Sequence, residues 1–160
     1  MKAIMTMGVA GSGKSTLASK LKEHYLEINL DECRDLVNGD SDNQSNHKEV
    51  AAYRDNLIEL AAMQGTDIMI SDTNLNPHFR KLLLDKLQQL EFEVTLIVIA
   101  TPLEKSLEFN LKRERQVPEE VIRDMHKSLE EQILKKKYRH PAIKHIIAYN
   151  PLQDDVPDLL

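Results

Sequence analysis

A chain of 160 residues, 41% of them hydrophobic, is long enough to bury one core and to form one domain. Its 21 Lys and Arg against 26 Asp and Glu leave a net charge of −5, which argues against broad, nonspecific duplex binding but leaves room for holding one short strand end. The single cysteine, Cys33, allows no internal disulfide, no apolar run approaches the ~20 residues of a membrane span, and the first residues lack a signal-peptide cleavage region, so a cytoplasmic protein is expected.

The first predicted strand is the apolar run 3–7. It leads into Gly8-Val9-Ala10-Gly11-Ser12-Gly13-Lys14-Ser15, which fits the phosphate-binding loop pattern G-x-x-x-x-G-K-[ST]. Leu17, Ala18 and Leu21 then carry helical spacing, so the motif sits between strand and helix as its chemistry requires. Gly8, Gly11 and Gly13 let the backbone curl its N–H groups into an anion nest, with Ser12 and Thr16 in the same candidate nucleotide-binding segment. The helix N-terminus adds positive potential, Lys14 is placed for the β- and γ-phosphates, and the Ser15 hydroxyl for Mg²⁺. Thr16 is one position late for the metal. ATP and Mg²⁺ are the expected ligands.

A weak strand at 25–28 is followed by Asn29-Leu30-Asp31-Glu32-Cys33-Arg34. Asp31 and Arg34, at i and i+3, share one face of a helix. Two readings stay open: a carboxylate that accepts a proton from an attacking hydroxyl beside a guanidinium that holds a phosphate, or a helix N-cap with a surface neighbour. The polar stretch 38–46 lacks an apolar period and is expected to be a mobile loop.

A third strand, 67–71, ends in Ser71-Asp72-Thr73-Asn74. Asp72 stands where a Walker-B acid would approach Mg²⁺, or where a strand-end acid would cap a turn. Asn76-Pro77 supplies an N-cap and N1 proline for the next helix. After the strand 93–99 and a helix comes Lys112-Arg113-Glu114-Arg115-Gln116, a basic segment between two helices. It reads either as a lid whose Arg113 or Arg115 neutralises developing phosphoryl charge or as a solvated corner. The following helix pattern, 118–137, starts with acids and ends in Lys135-Lys136-Lys137, which reads as a solvated helix end rather than a nucleic-acid patch. Its apolar positions, Val121 and Met125 among them, suit packing on the sheet or on a second subunit. A last strand at 144–149 precedes an acidic tail, 151–160, expected to be loosely packed.

Helical patterns near 14–24, 31–37, 47–64, 77–90, 103–112 and 118–137 alternate with these strands. The expected fold is therefore α/β, a five-stranded, mostly parallel sheet with helices on both faces and a helical lid at about 109–118, all in one domain over 1–160. None of the six histidines has zinc-ligand spacing, so no metal site beyond Mg²⁺ is expected.

The segments GVAGSGKS, INLDECR, ISDTNLNP and KRERQVPEEVIRDMHKSL, in this order, resemble the kinase domain of phage-type polynucleotide kinases. The resemblance spans residues 1 to about 130 and includes the P-loop kinase fold. It implies transfer of the ATP γ-phosphate to the 5′-hydroxyl of DNA or RNA, with a role in end repair. Carried over, Asp31 is the general base and Arg34 a clamp on the acceptor's 3′-phosphate. Asp72 supports the acceptor site together with Thr73 and Asn74, and Arg113 is the lid arginine on the donor phosphates. This chain departs from the pattern at Phe109, where the family has a further lid arginine, and in a slightly shorter lid, so Arg115 stays a candidate beside Arg113. No D-x-D-G-T motif is present, and 3′-phosphatase activity is not expected of this chain. The alternative is a P-loop kinase of a small-molecule hydroxyl. A GTPase-like switch is disfavoured by the missing N-K-x-D motif.

Overall fold

The computed structural model describes residues 1–159. Five strands, β1 (Lys2–Met7), β2 (Leu26–Ile28), β3 (Ile68–Ile70), β4 (Glu93–Ile99) and β5 (Ile143–Tyr149), form one sheet in the order β2-β3-β1-β4-β5. All four pairings are parallel, which makes the sheet more uniform than the mostly parallel one expected. Six helices connect them: α1 (Lys14–Leu21), α2 (Leu30–Asn38), α3 (His47–Gln64), α4 (Pro77–Gln89), α5 (Leu103–Leu111) and α6 (Glu119–Leu134).

The two-residue period of a strand sends alternate side chains to two separate cores. Met5, Met7, Ile68, Ile70, Val94 and Leu96 face one side, where they meet Ile58 of α3, Leu83 and Leu87 of α4, and Ile122 and Leu129 of α6. Ile4, Met69, Ile97, Ile99 and Tyr149 face the other side and meet Leu17, Ala18 and Leu21 of α1. One short helix cannot cover that second face. The acidic tail does the rest: Val156 and Leu159 pack against it, and Tyr25 Oη donates to the Leu159 carbonyl at 2.8 Å. The tail expected to be loose is thus laid along the sheet, because the face beneath it would otherwise be wet.

Local signals set the helix ends. Asn76 Oδ1 accepts from the N–H groups of His78 and Phe79, with Pro77 in the first turn, as the Asn-Pro pair predicts. At α2 the cap is Asn29, whose side chain accepts from Glu32 N at 2.8 Å. Asp31 is therefore not the N-cap, and that reading of it falls away. Loop 38–46 carries its own hydrogen bonds, with Asn38 Nδ2 donating to the carbonyls of Asn43 and Ser45.

The crossover from β3 to β4 passes over β1, so sheet order changes direction there. In open α/β sheets ligands sit at the carboxyl ends of strands beside such a switch. Every candidate residue named above lies in a segment that leaves those ends.

Candidate active site

Backbone geometry shapes the phosphate loop first. Gly11 and Gly13 adopt left-handed φ of 75° and 103°. A Cβ on Gly11 would lie 2.8 Å from the Ser106 carbonyl of α5, so the loop's apex packs directly against that helix. Gly8 N donates to the Thr73 carbonyl at 3.0 Å, which ties the loop's start to the end of β3. Ser12 is buried, with its hydroxyl on the Val9 carbonyl at 2.7 Å and its own carbonyl taken by Thr101 Oγ1 at 2.6 Å. Gly8 and Ser12 thus shape the loop. Among the described residues no side chain caps α1, whose first N–H groups are left for an anion.

Lys14, Ser15 and Thr16 line a cleft of about 1150 Å³ together with Asp31, Arg34, Asp72, Thr73, Arg113 and Arg115. The Lys14 ammonium folds back onto the Gly8 and Val9 carbonyls. Burial brings its pKa down to about 8; Arg113 pushes the same way, while Asp72 and Asp31 oppose it. Four groups from four different segments therefore feel one another across the cleft.

On the other wall the Arg34 guanidinium pairs with the Asp31 carboxylate, and its Nε donates to the Ser41 carbonyl at 3.0 Å. Arg34 is largely covered, whereas Asp31 is half exposed to the cleft. The lid is a loop rather than helix: α5 stops at Leu111 and α6 starts at Glu119. Its base is pinned by buried Asn110, whose amide pairs with both the N–H and the carbonyl of Val117 at 2.9 and 2.7 Å. Two arginines leave this loop toward different partners. Arg113 is exposed in the cleft lining, where its charge is felt by Lys14, and Arg115 reaches over to Asp42 and to Asp31, the latter at 3.7 Å.

Asp72 is a second buried ionisable group in this cleft. Its Oδ1 accepts from Leu30 N at 2.9 Å, while Oδ2 is buried with no partner among the described residues. Burial raises its pKa to about 6, against the pull of the Leu30 N–H and of Arg54 and Arg34. An orphaned carboxylate oxygen in the same cleft as the Ser15 hydroxyl is the hard oxygen chemistry that Mg²⁺ takes, usually with one or two protein ligands and the rest from phosphate and water. The residues fit that ion.

The raised pKa gives a stability prediction with a definite sign. The folded carboxyl holds its proton more tightly than the unfolded chain, so stability falls as pH rises from about 4 to about 6 and is flat above. Two pKa units correspond to about 3 kcal/mol. Asp72→Asn is therefore expected to raise the melting temperature of the free protein at pH 7.5 by roughly 5–10 °C, with the gap closing near pH 4. Equal melting temperatures at pH 7.5 would remove the argument.

Asn74 is used elsewhere. At φ 49° its amide donates to the carbonyls of Thr6 and Asp72, which holds the end of β3 against β1. Thr73 lines the cleft. Several lining residues were not anticipated. Glu27 accepts from the Ser71 hydroxyl, and an acid inside a strand was the available signal. Met125 packs against the sheet core as expected, and with Val121, Phe109 and Val117 it also forms an apolar cleft wall. Pro151 crosses beside Gly13.

Sheet order, loop and lid together define a P-loop domain of the kinase fold. The AAA domain family model (AAA_33) matches residues 4–132, and the chain belongs to that family. A bifunctional polynucleotide kinase/RNA ligase of Autographa californica nuclear polyhedrosis virus is 27% identical over 96% of this chain, which spans 23% of that relative's length. Among solved structures, a chain of the Pnkp1/Rnl/Hen1 RNA repair complex superposes with a TM-score of 0.76 at 18% identity, over 84% of this chain and 45% of its own. A gluconokinase from Sinorhizobium meliloti 1021 superposes with a TM-score of 0.60 at 18% identity, over 96% of this chain and 84% of its own. At such identities the structural likeness establishes the fold. No helix among the described residues is long and apolar enough to cross a membrane.

Proposed function

We propose that this domain transfers the γ-phosphoryl group of ATP to the 5′-hydroxyl of a DNA or RNA end. The observation that carries the reading is the placement of the Asp31–Arg34 pair in one cleft with the phosphate loop and both lid arginines. The viral relative, named for polynucleotide kinase activity and similar along nearly the whole chain, supports the nucleic-acid acceptor.

In this reading the loop N–H groups and Lys14 hold the donor's β- and γ-phosphates. Ser15 and Asp72 would hold Mg²⁺, which supplies further neutralisation of phosphate charge when bound. Asp31 orients the 5′-hydroxyl and takes its proton as the oxygen bonds to the γ-phosphorus and the bond to ADP breaks. Arg34 releases part of its hold on Asp31 to bind the acceptor's 3′-phosphate, for which a guanidinium gives a bidentate fit. Arg113 spreads the charge of the transferring group. No covalent enzyme intermediate is needed, because positioning and electrostatics carry this chemistry.

The test is transfer of labelled γ-phosphate, with Mg²⁺, to a 5′-hydroxyl oligonucleotide, a nucleoside 3′-monophosphate and a plain nucleoside. The first two should be labelled and the third not. In the same assay Arg34→Ala should raise the acceptor KM by roughly tenfold or more with a smaller change in kcat. A normal acceptor KM would contradict the clamp. Labelling of none, with ATP bound, would move the acceptor to the small hydroxyl compounds that the gluconokinase fold also serves.

A further inference from the structure

A second concavity, of about 600 Å³, lies outside the active cleft between one face of α4 and the turn that follows α6. Lys81, Lys137, Tyr138, Arg139 and His140 line it, and among the described residues Asp85 is its only acid. That acid is already satisfied, with Oδ2 on Lys81 and Oδ1 on His140, each at 2.7 Å.

The lysine run does not behave as a plain helix end. Helix α6 stops at Leu134, and Lys135 at the cap pairs with Glu131, as the helix dipole favours. Lys136 then takes a left-handed φ of 53°, which turns the chain out of the helical path. Lys136, Lys137 and Arg139 are exposed and form no ion pair among the described residues; Glu131, which feels the charge of Lys137, is already bonded to Lys135. The turn is held rigid from below by buried Arg80, which donates to the Lys137 carbonyl at 3.1 Å. All of Arg80's hydrogen-bond partners are neutral: the carbonyls of Lys137 and Asn74 and the Gln132 amide oxygen. A guanidinium keeps its proton even when buried, so its charge adds to the positive potential of the groove instead of being cancelled.

The same side chain locates the groove. Arg80 Nη1 donates to the Asn74 carbonyl at 2.8 Å, and Asn74 follows Asp72 and Thr73, which line the active cleft. One guanidinium therefore joins the basic turn to the acceptor side of the site. The α4 face from Pro77 to Gln88 is ~16 Å long by helical rise, enough for several phosphates of a stacked strand at ~3.4 Å each.

We propose that this groove carries the sugar–phosphate backbone of the nucleic-acid strand whose 5′ end occupies the cleft, with Lys137 and Arg139 of its lining as phosphate contacts and Lys136, exposed on the same turn, as a third. The assignment rests on the polynucleotide reading above and deepens it. It gives the chain a reason to prefer a polymer over a small acceptor, and on a protein of net charge −5 such a strip is not the overflow of a generally basic surface. The helix-end reading of Lys135 stands, and the proposal gives its two exposed neighbours a further role.

The experiment compares the wild type with the triple variant Lys136→Gln, Lys137→Gln, Arg139→Gln. A fluorescent 20-nucleotide 5′-hydroxyl strand is titrated from low to moderate salt, and phosphorylation of a nucleoside 3′-monophosphate is measured beside it. Removing three phosphate contacts should weaken strand binding at least tenfold and flatten the slope of log affinity against log salt by about 2. Melting temperature and 3′-monophosphate turnover should not change. Unchanged strand affinity and slope with active transfer would overturn the groove and leave the kinase reading intact. Weakened binding in a protein that phosphorylates no nucleic acid would do the reverse. Variant-sensitive binding to phosphatidylserine vesicles, with none to the strand, would overturn the nucleic-acid assignment.

Discussion

Asp31→Ala and Asp31→Asn are expected to lower phosphoryl transfer by roughly 10²–10⁴-fold while changing ATP affinity by less than about threefold. Asp31 does not cap its own helix. Asn29 already caps α2, so removing the Asp31 carboxylate leaves every N–H of the first turn as it was. Its ion pair with Arg34 joins a half-exposed carboxylate to a largely covered guanidinium, and Arg34 keeps the Ser41 carbonyl when the partner goes. Arg115 likewise keeps Asp42. The fold thus loses little, and a large kinetic effect has to come from the reacting centre. Single-turnover transfer at saturating acceptor, with ATP binding by calorimetry, separates the cases. A matched loss of ATP affinity would make Asp31 an organiser of the cleft. A pure rise in acceptor KM would make it a partner of Arg34 and no base.

Most of the fold was legible because strand burial is written plainly here. Runs such as Glu93–Ile99 are apolar nearly throughout, which only a sheet covered on both faces accommodates, and strong caps at Asn76-Pro77 fixed the helix that follows β3. The phosphate loop was legible since Gly11 and Gly13 meet real geometric demands, a left-handed backbone and contact with α5 and the tail. What was not legible depends on long-range contact. Val156 and Leu159 carry no local pattern, and their role exists only because α1 leaves part of a sheet face bare. The choice between base and cap at Asp31 turned on Asn29, two residues earlier, an equally good cap by type. The two lid arginines differ by position alone: the charge of Arg113 is felt by Lys14, while Arg115 pairs with the acidic loop across the cleft, a distinction that spacing in a basic segment cannot encode. Loop 38–46 looked featureless because its order comes from Asn, Asp and Ser side chains bonding their own backbone, as in Asn43 with Ser45.

Lys14→Met is expected to slow transfer at saturating substrates by roughly 10²–10³-fold, the usual cost of removing one preorganised charge at the phosphoryl group. The wild type should also reveal this lysine through pH. Burial, with help from Arg113, holds its pKa near 8 in the free protein, where it rests on the Gly8 and Val9 carbonyls. Only the charged form complements a polyphosphate. Below pH 8 the proton is in place and donor affinity should be flat. Above pH 8 the free protein has a neutral lysine, so binding the donor must recapture a proton, and affinity should fall toward tenfold per pH unit. The sign is that of a base with a lowered pKa, whose charge is lost as pH rises through the folded value and restored by the incoming anion. In Lys14→Met the fall above pH 8 should vanish, leaving weak, pH-independent binding. Calorimetry with ATP from pH 6.5 to 9.5 in buffers of different ionisation enthalpy measures both the affinity and the proton taken up. A flat wild-type profile would mean that the ammonium is already charged in the free cleft and that Asp72 and Asp31 outweigh burial there. Weakened donor binding with unimpaired saturating transfer would make Lys14 an anchor of the ground state, and the charge that stabilises the transferring group would then have to come from Arg113.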